Sequence, residues 1–194
     1  MKCDGHPKGW PFARKEGHGL PGHRARAGAR RSSAGPNRIS CVKRRTAMQK
    51  ELLFEMVKQS QFTTHFCFDR VTEETAPLRL NDTTASIGFI YRHIGETMNL
   101  FAQFLGSPTD VKNTTIGQVD TGQHSDVAHS RELIERGYRT LTELVESNTE
   151  EDWLKPVDTP FFGTLPRIRL FAHALYHTSN HAGQISLTLA KGRK

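Results

Sequence analysis

Apolar residues recur at intervals of three and four along four separate stretches of the chain, which is the period of an amphipathic helix. The stretches cover about residues 47–69, 84–105, 124–147 and 164–190. The first places Met48, Leu52, Met56, Phe62 and Phe66 near the one face that such a helix buries, and the second does the same with Ile87, Ile90, Ile94, Met98, Phe101 and Leu105. No alternating apolar and polar run of strand length stands out. Four amphipathic helices of about 20 residues each predict an all-α fold, a four-helix bundle.

Local signals mark where these helices begin and end. Residues 82–84, Asp-Thr-Thr, offer a side chain that can cap the second helix, and Gly106 with Pro108 marks its end. Pro166 falls in the first turn of the fourth helix, where the missing N–H costs little. The linkers between the helices cover residues 70–83, 106–123 and 148–163, and they are long enough to include a crossover.

Residues 1–47 differ from the rest of the chain in charge and in pattern. They hold 12 of the 27 Lys and Arg but only two of the 20 acidic residues, so they carry +10 and the remainder carries −3. The segment is rich in Gly, Pro and Arg and has no helical or strand period, so we predict a disordered basic tail. It could be a nucleic-acid-binding arm, an organellar transit peptide, or an extension of a native chain that starts at Met48. Because helical periodicity begins directly after Met48, we favour the last and assign the folded domain to residues 48–194.

Several classes of protein are excluded or disfavoured. The mildly acidic folded domain gives no electrostatic reason to bind nucleic acid, and no apolar run approaches the roughly 18 residues that span a membrane. Three cysteines favour a reduced, cytoplasmic setting over a disulfide framework. The sequence has no HExxH, Glu-x-x-His, GxSxG, P-loop or CxxC motif, which argues against zincin proteases and ferritin-like di-iron bundles.

The histidines of the fourth predicted helix form the most informative pattern. His173, His177 and His181 follow one another at intervals of four and project from nearly one side of the helix. A neighbouring pair can bind one ion, but His173 and His181 lie about 12 Å apart along the axis and cannot easily share one. The candidate metal site is therefore His173 with His177, or His177 with His181, completed from another helix. His93 on the second helix is the best external candidate, although taken alone it is more often a hydrogen-bonded core residue. Three neutral imidazoles leave a coordination position open, as in catalytic sites.

Other residues with reactive side chains give weaker signals. Glu96 shares a face with His93, and we interpret it as a solvated side chain in preference to a general base. Cys67 is interpreted as a small buried hydrophobe and not as a nucleophile. His65, His124 and His129 lack a usable paired spacing, and we expect them at the surface or in the core.

Two segments resemble a known family. Residues 175–185, LYHTSNHAGQI, resemble the last-helix signature of the DinB-like superfamily, in which two histidines four residues apart precede Gly-Gln. Residues 89–97, FIYRHIGET, are similar to the histidine segment of the family's second helix. Many members carry a histidine where Asn180 stands here. The resemblance covers about residues 48–191.

The resemblance implies a four-helix bundle, often a homodimer, with one divalent metal ion held by His93, His177 and His181. It sets His173 aside as a structural residue or one that supports the ligands. Gln184 follows His181 by three positions and shares its face, so it can hydrogen-bond a ligand imidazole or a bound water. The candidate ions are zinc, nickel, iron and manganese. The residues do not choose among them, because imidazole binds several divalent metals, and copper is another of these.

The resemblance also implies a metal-dependent enzyme with a small-molecule substrate. Characterised relatives are transferases and isomerases that use low-molecular-weight thiols, and other members are labelled hydrolases. The alternative is a stress-associated bundle that binds metal or a small ligand without turnover, which predicts no open coordination position and no pocket beside the ion. Nucleic-acid binding through the basic tail ranks last, because the folded domain is acidic.

Overall fold

A computed structural model describes residues 38–122 and 126–193, with side chains from Met48 onward, and it confirms the helical bundle. Its elements in chain order are α1 (Arg38–Phe68), α2 (Ile87–Phe104), α3 (Val127–Ser147), α4 (Glu150–Leu154), β1 (Pro156–Thr159), β2 (Gly163–Pro166) and α5 (Arg167–Lys191). The long helices α1, α2, α3 and α5 form the bundle, in which α1 and α2 each pack against both α3 and α5. Over the described ranges, none of the helices combines the length and the apolar character that crossing a bilayer requires.

The second helix is the most deeply buried of the four. Ile87, Ile94 and Met98 are fully buried in a core that α5 completes with Leu170 and Phe171. This continuous apolar stripe explains why periodicity alone located the helix within a few residues of its observed bounds.

The caps of α2 and α3 differ slightly from the predicted ones. Ser86 caps α2, since its side chain accepts a hydrogen bond from the Phe89 N–H at 3.2 Å. The hydroxyl of Thr84, within the predicted cap, instead donates to the Asn81 carbonyl in the preceding turn. At the other end α2 stops at Phe104, and Gly106 takes the left-handed conformation (φ 94°) that marks the predicted end. Asp126 caps α3 by accepting from the His129 N–H.

The first helix departs most from the sequence prediction. It begins at Arg38 and not near residue 47, so its first turns lie within the stretch assigned to the disordered tail, while residues 1–37 lie outside the described residues. The apolar face predicted for it is also wrong. Five of its large apolar side chains are 45–62% exposed, and they are Met48, Leu52, Met56, Phe62 and Phe66.

The inner face of α1 combines apolar side chains, Val57 and Phe68 among them, with two polar ones. Ser60 and Thr64 are buried there, and their hydroxyls lie 3.0 Å and 3.2 Å from the hydroxyl of Tyr138 on α3. These contacts satisfy the buried hydroxyls, so a polar pair lies within the face that packs on the bundle. A hydrophobicity pattern cannot detect this arrangement, because the partner lies on another helix.

The last linker contains structure that the sequence did not reveal. The short helix α4 has a capping box between Thr149 and Asp152, and it buries Trp153 against Phe171 of α5, with ring centroids 5.1 Å apart. Strands β1 and β2 then form an antiparallel hairpin that leads directly into α5. Each strand has four residues, which is too short for alternation to stand out.

Helices α2 and α3 approach closely at two glycines. A Cβ at Gly95 would lie 2.7 Å from the Cβ of Leu133, and a Cβ at Gly137 would lie 2.7 Å from that of Met98. Asn99 joins the same two helices, because its buried amide donates to the carbonyls of Gly95 and Leu133. This contact fixes the segment of α2 that carries His93 and Glu96.

Candidate metal centre

Two neighbouring helices bring three histidines together. His93 projects from α2, while His177 and His181 project from the same side of α5, one turn apart. Because α2 packs against α5, the three imidazoles meet inside the bundle. The packing chooses between the two pairs that the spacing left open: His177 and His181 lie at the meeting point.

The distances between the rings suit a shared cation. The Nε2 atom of His177 lies 3.1 Å from the Nε2 atoms of both His93 and His181, and the ligand atoms of all three lie within 4.8 Å of one another. Two nitrogens bound to one ion at about 2.1 Å are about 3.0–3.4 Å apart, depending on the angle at the ion. The three imidazoles therefore present their nitrogens at the spacing of a metal site.

Hydrogen bonds to Nδ1 of His93 and of His181 orient the Nε2 lone pairs of these two rings toward the centre of the cluster. The Thr115 hydroxyl donates to Glu96 at 2.9 Å, so its oxygen accepts from His93 Nδ1–H, 3.0 Å away. Gln184 accepts from His181 Nδ1–H at 2.7 Å. Both rings thus carry their proton on Nδ1 and direct a bare Nε2 inward, the orientation that outer partners give to ligand histidines.

The donor set fits a cation better than it fits hydrogen bonds among the rings. A neutral His177 has one N–H proton, which can be donated to the Nε2 lone pair of His93 or to that of His181 but not to both. Its Nδ1 is buried and has no hydrogen-bond partner among the described residues. A divalent ion would engage all three inward nitrogens at once.

Burial keeps the three rings uncharged. Desolvation, reinforced by the neighbouring His181, lowers the pKa of His93 to about 4 and that of His177 to about 3. Desolvation also lowers the pKa of His181, against the opposing effect of its hydrogen bond to Gln184. At neutral pH all three are free imidazoles, the form that binds metal.

Glu96 is buried and not solvated, which corrects the sequence interpretation. Its side chain is 2% exposed and accepts from the Thr114 N–H, the Thr114 hydroxyl and the Thr115 hydroxyl, at 2.7, 2.7 and 2.9 Å. These three bonds compensate the buried carboxylate. Glu96 therefore contacts the histidine cluster through Thr115, and its charge also acts on His93, where it opposes the lowering of the pKa.

The two threonines had no recognisable signal in the sequence. They lie in the linker after α2, 18 and 19 positions beyond Glu96 in the chain. The side chain of Asn113 accepts hydrogen bonds from the N–H groups of Thr115 and Ile116, which shapes the turn that presents them. An Asn-Thr-Thr sequence is common in loops, so only the fold reveals this role.

His173 stands apart from the cluster. Its ring packs against those of Phe162 and Phe101, with centroids 4.6 and 5.5 Å away, and lies 6.3 Å from the ring of His177. Phe162 comes from the β1–β2 hairpin, so this unpredicted element supplies one aromatic wall beside the site. His173 contacts the cluster by packing and not as part of the converging group.

The remaining histidines and the cysteine lie elsewhere. His65 is exposed and lies 2.8 Å from Asp69, and His129 is exposed beside Glu132. Cys67 is buried, as predicted, and its thiol contacts the Thr64 carbonyl. His124 lies outside the described residues.

A cavity opens directly beside the histidine cluster. It has a volume of about 500 Å³, and His93, His181 and Gln184 are among its polar lining residues. Side chains from α2, α5 and the two linkers that flank α2 form the other walls. An ion on the three nitrogens would face a space that can hold a small molecule.

Comparisons with known proteins agree with this architecture. A family model described as the DinB superfamily matches residues 56–185. Among solved structures, a DinB-like protein from Bacillus cereus is similar with a TM-score of 0.60 and 16% identity, over 72% of this chain and 90% of that one. A DinB-like protein (YjoA) from Bacillus subtilis has a TM-score of 0.50 and 16% identity, over 70% and 90% of the two chains. At this identity the likeness establishes the fold. No curated protein matches the chain.

Proposed function

The chain belongs to the DinB superfamily, and from that premise we propose that it is a divalent-metal-dependent enzyme that acts on a small molecule, with His93, His177 and His181 as metal ligands. The observation that carries the proposal is the convergence of three Nε2 atoms, 3.1 Å apart in two of the pairs, at the end of a cavity. Three protein ligands leave room for water or substrate on the ion, and the cavity borders two of the three proposed ligand residues, which supports access of a small molecule.

The residues of the chain prepare the site in three ways. Burial holds the imidazoles neutral, the bonds to Thr115 and Gln184 hold two of them in the ligand tautomer, and the packing of α2 on α3 fixes His93 in place. A bound divalent ion supplies Lewis acidity, which polarises a substrate group or lowers the pKa of a water or thiol. Zinc, nickel and iron suit a site of three imidazoles better than manganese, which prefers oxygen ligands.

The reaction class follows from the family. We propose a thiol-dependent transferase or isomerase, or a hydrolase, working in the cytoplasm as a homodimer. The alternative is a bundle that binds metal without turnover, and it predicts no pocket beside the ion. The cavity of about 500 Å³ at His93 and His181 favours the enzyme.

Metal analysis of three proteins tests the ligand set. We expect about one divalent ion per chain in the wild type and none in the His177→Ala/His181→Ala double variant. His173→Ala is the matched control, because it removes a histidine from the same helix but outside the cluster, and it should keep the ion. Stoichiometric metal in the double variant would reject the proposed ligands.

Activity assays of the same proteins test catalysis. The metal-loaded wild type and His173→Ala should accelerate transfer of a small thiol to an electrophile or hydrolysis of an activated ester, and the double variant should not. Equal rates in all three proteins would reject an enzymatic role for the site, even if the ion is bound.

A further inference from the structure

The cavity beside the histidine cluster has mostly apolar walls. Six apolar residues line it, and they are Leu80, Ala85, Phe89, Ile90, Ile116 and Leu187. Its polar lining residues are His93, His181 and Gln184 together with three threonines. Among the described residues that line the cavity, none carries a charged side chain.

The hydroxyl groups of the cavity wall are already engaged within the protein. The Thr84 hydroxyl donates to the Asn81 carbonyl, the Thr115 hydroxyl donates to Glu96, and the Thr188 hydroxyl donates to the Gln184 carbonyl. These threonines therefore have no hydroxyl proton left to donate, so they offer a carboxylate no hydrogen bond.

Beside this wall, the carboxylate of Glu96 is bonded to Thr114 and Thr115, and two further ionic groups neutralise each other. Arg79 and Asp120 form an ion pair at 3.0 Å, Arg79 also donates to the Thr84 carbonyl, and Asp120 accepts from the Ser86 N–H. The side chain of Asp120 is 4% exposed, so this pair supports the turn before α2 from within.

A second cavity differs from the first because charged side chains line it. It has about 460 Å³ and lies on the other side of Glu96, where Arg92, Lys112, Arg136 and Asp110 line it. The histidine cluster opens toward the apolar cavity and not toward this one. The basic side chains that would bind a polyanionic ligand therefore lie away from the proposed metal site.

We infer that the ligand of the cavity is an uncharged, largely apolar molecule with a single donor group that reaches the three histidines; this inference rests on the proposed function. Burial of hydrocarbon against apolar walls stabilises the complex. A carboxylate placed against the same walls would lose its hydration without gaining a hydrogen-bond partner. An apolar thiol fits this description, and a thiol that carries several carboxylates does not.

Straight-chain alkyl hydroxamic acids of two to eight carbons test this inference on the Co²⁺-loaded protein. The hydroxamate is the metal donor, the visible absorption of Co²⁺ reports binding, and only the length of the tail varies. We expect affinity to rise about fourfold for each methylene that enters the cavity. A hydroxamate of equal length that ends in a carboxylate should bind at least tenfold more weakly. An affinity that does not depend on length, or equal binding of the carboxylate, would overturn the inference.

A pair of charge variants places the effect in this cavity. Leu187 lies at its rim and is 51% exposed, while Leu154 is 67% exposed and lies outside it. Leu187→Lys should improve binding of the carboxylate-ended ligand several-fold relative to the alkyl one, and Leu154→Lys should not. An identical response of the two variants would contradict the assignment.

A metal-free arm separates this inference from the proposed function. Displacement of a neutral apolar dye from the metal-free protein by alcohols of four to eight carbons should show the same rise with chain length. If Co²⁺ does not bind but this rise is seen, the proposed function fails and the apolar cavity stands. If Co²⁺ binds and both series are flat, the metal site stands and the ligand class is wrong.

Discussion

Replacing Thr115 by Val is expected to weaken divalent metal binding about 10- to 100-fold, the usual effect of removing a partner of a ligand histidine. The variant keeps the size of the side chain but removes the oxygen that accepts from His93 Nδ1–H at 3.0 Å. His93 is then free to move its proton to Nε2, the nitrogen that faces the ion. Thr97 lies 3.4 Å from the same Nδ1 and replaces the lost acceptor only in part, because that distance is long for a hydrogen bond.

The neighbouring Thr114 supplies a matched control. Its hydroxyl also donates to Glu96, at 2.7 Å, whereas among the two threonines it is Thr115 whose hydroxyl lies against His93 Nδ1. Thr114→Val and Thr115→Val each remove one hydrogen bond from a buried carboxylate, a loss of about 1–3 kcal/mol in the free energy of unfolding. Only the second should also lower metal affinity by an order of magnitude.

Two measurements decide the outcome. Competition with a chelator gives the affinity of each protein for Zn²⁺ or Co²⁺, and the ¹⁵N chemical shifts of the imidazoles report which ring nitrogen of His93 carries the proton. Wild type and Thr114→Val should show the Nδ1–H form, and Thr115→Val should show a mixture. Equal metal affinity in the two variants would refute the reasoning that links Glu96 to His93 through Thr115.

Three further predictions concern packing, pH and assembly. Gly95→Ala should destabilise the protein by about 1–3 kcal/mol in urea unfolding, because its Cβ would lie 2.7 Å from a side chain of α3, whereas Gly183→Ala meets nothing within 4 Å and should be neutral or stabilising. The free energy of unfolding of the metal-free protein should fall as the pH drops from about 6.5 to 4, by up to about 1.4 kcal/mol per pH unit for each of His93 and His177. The reason is that these imidazoles bind protons in the unfolded chain but stay neutral when they are buried. An equally steep fall in His177→Ala would contradict this prediction. Leu52→Asp, on the exposed apolar face of α1, should convert a homodimer to monomers in light scattering, and an unchanged mass would exclude that face as the interface.

Periodicity was sufficient to locate the bundle helices because the stripes of α2, α3 and α5 are buried in one core. It failed for α1, where Phe62 and Phe66 face outward and Ser60 and Thr64 face inward. There the two inward hydroxyls contact the hydroxyl of Tyr138 on α3. A pattern along one helix contains no information about a partner on another.

The candidate site divides in the same way. The spacing of the histidines in the last helix left two pairs open, and His93 was the best candidate on another helix. The resemblance selected His93, His177 and His181, so the three residues could be named before their positions were known. Their role as metal ligands stays a prediction until metal is measured. The environment of Glu96 could not be predicted, because its partners follow it by 18 and 19 positions in a loop without periodicity.

The loop that carries Thr115 serves two purposes, and these restrict each other. Thr115, Ile116 and Gly117 form one wall of the cavity, while the Thr115 hydroxyl orients His93. Outward movement of this wall would withdraw the hydroxyl that orients the imidazole. A bulky guest that pushes the loop aside would therefore promote loss of the metal, and the size of the guest and the grip on the cation are set by the same few residues.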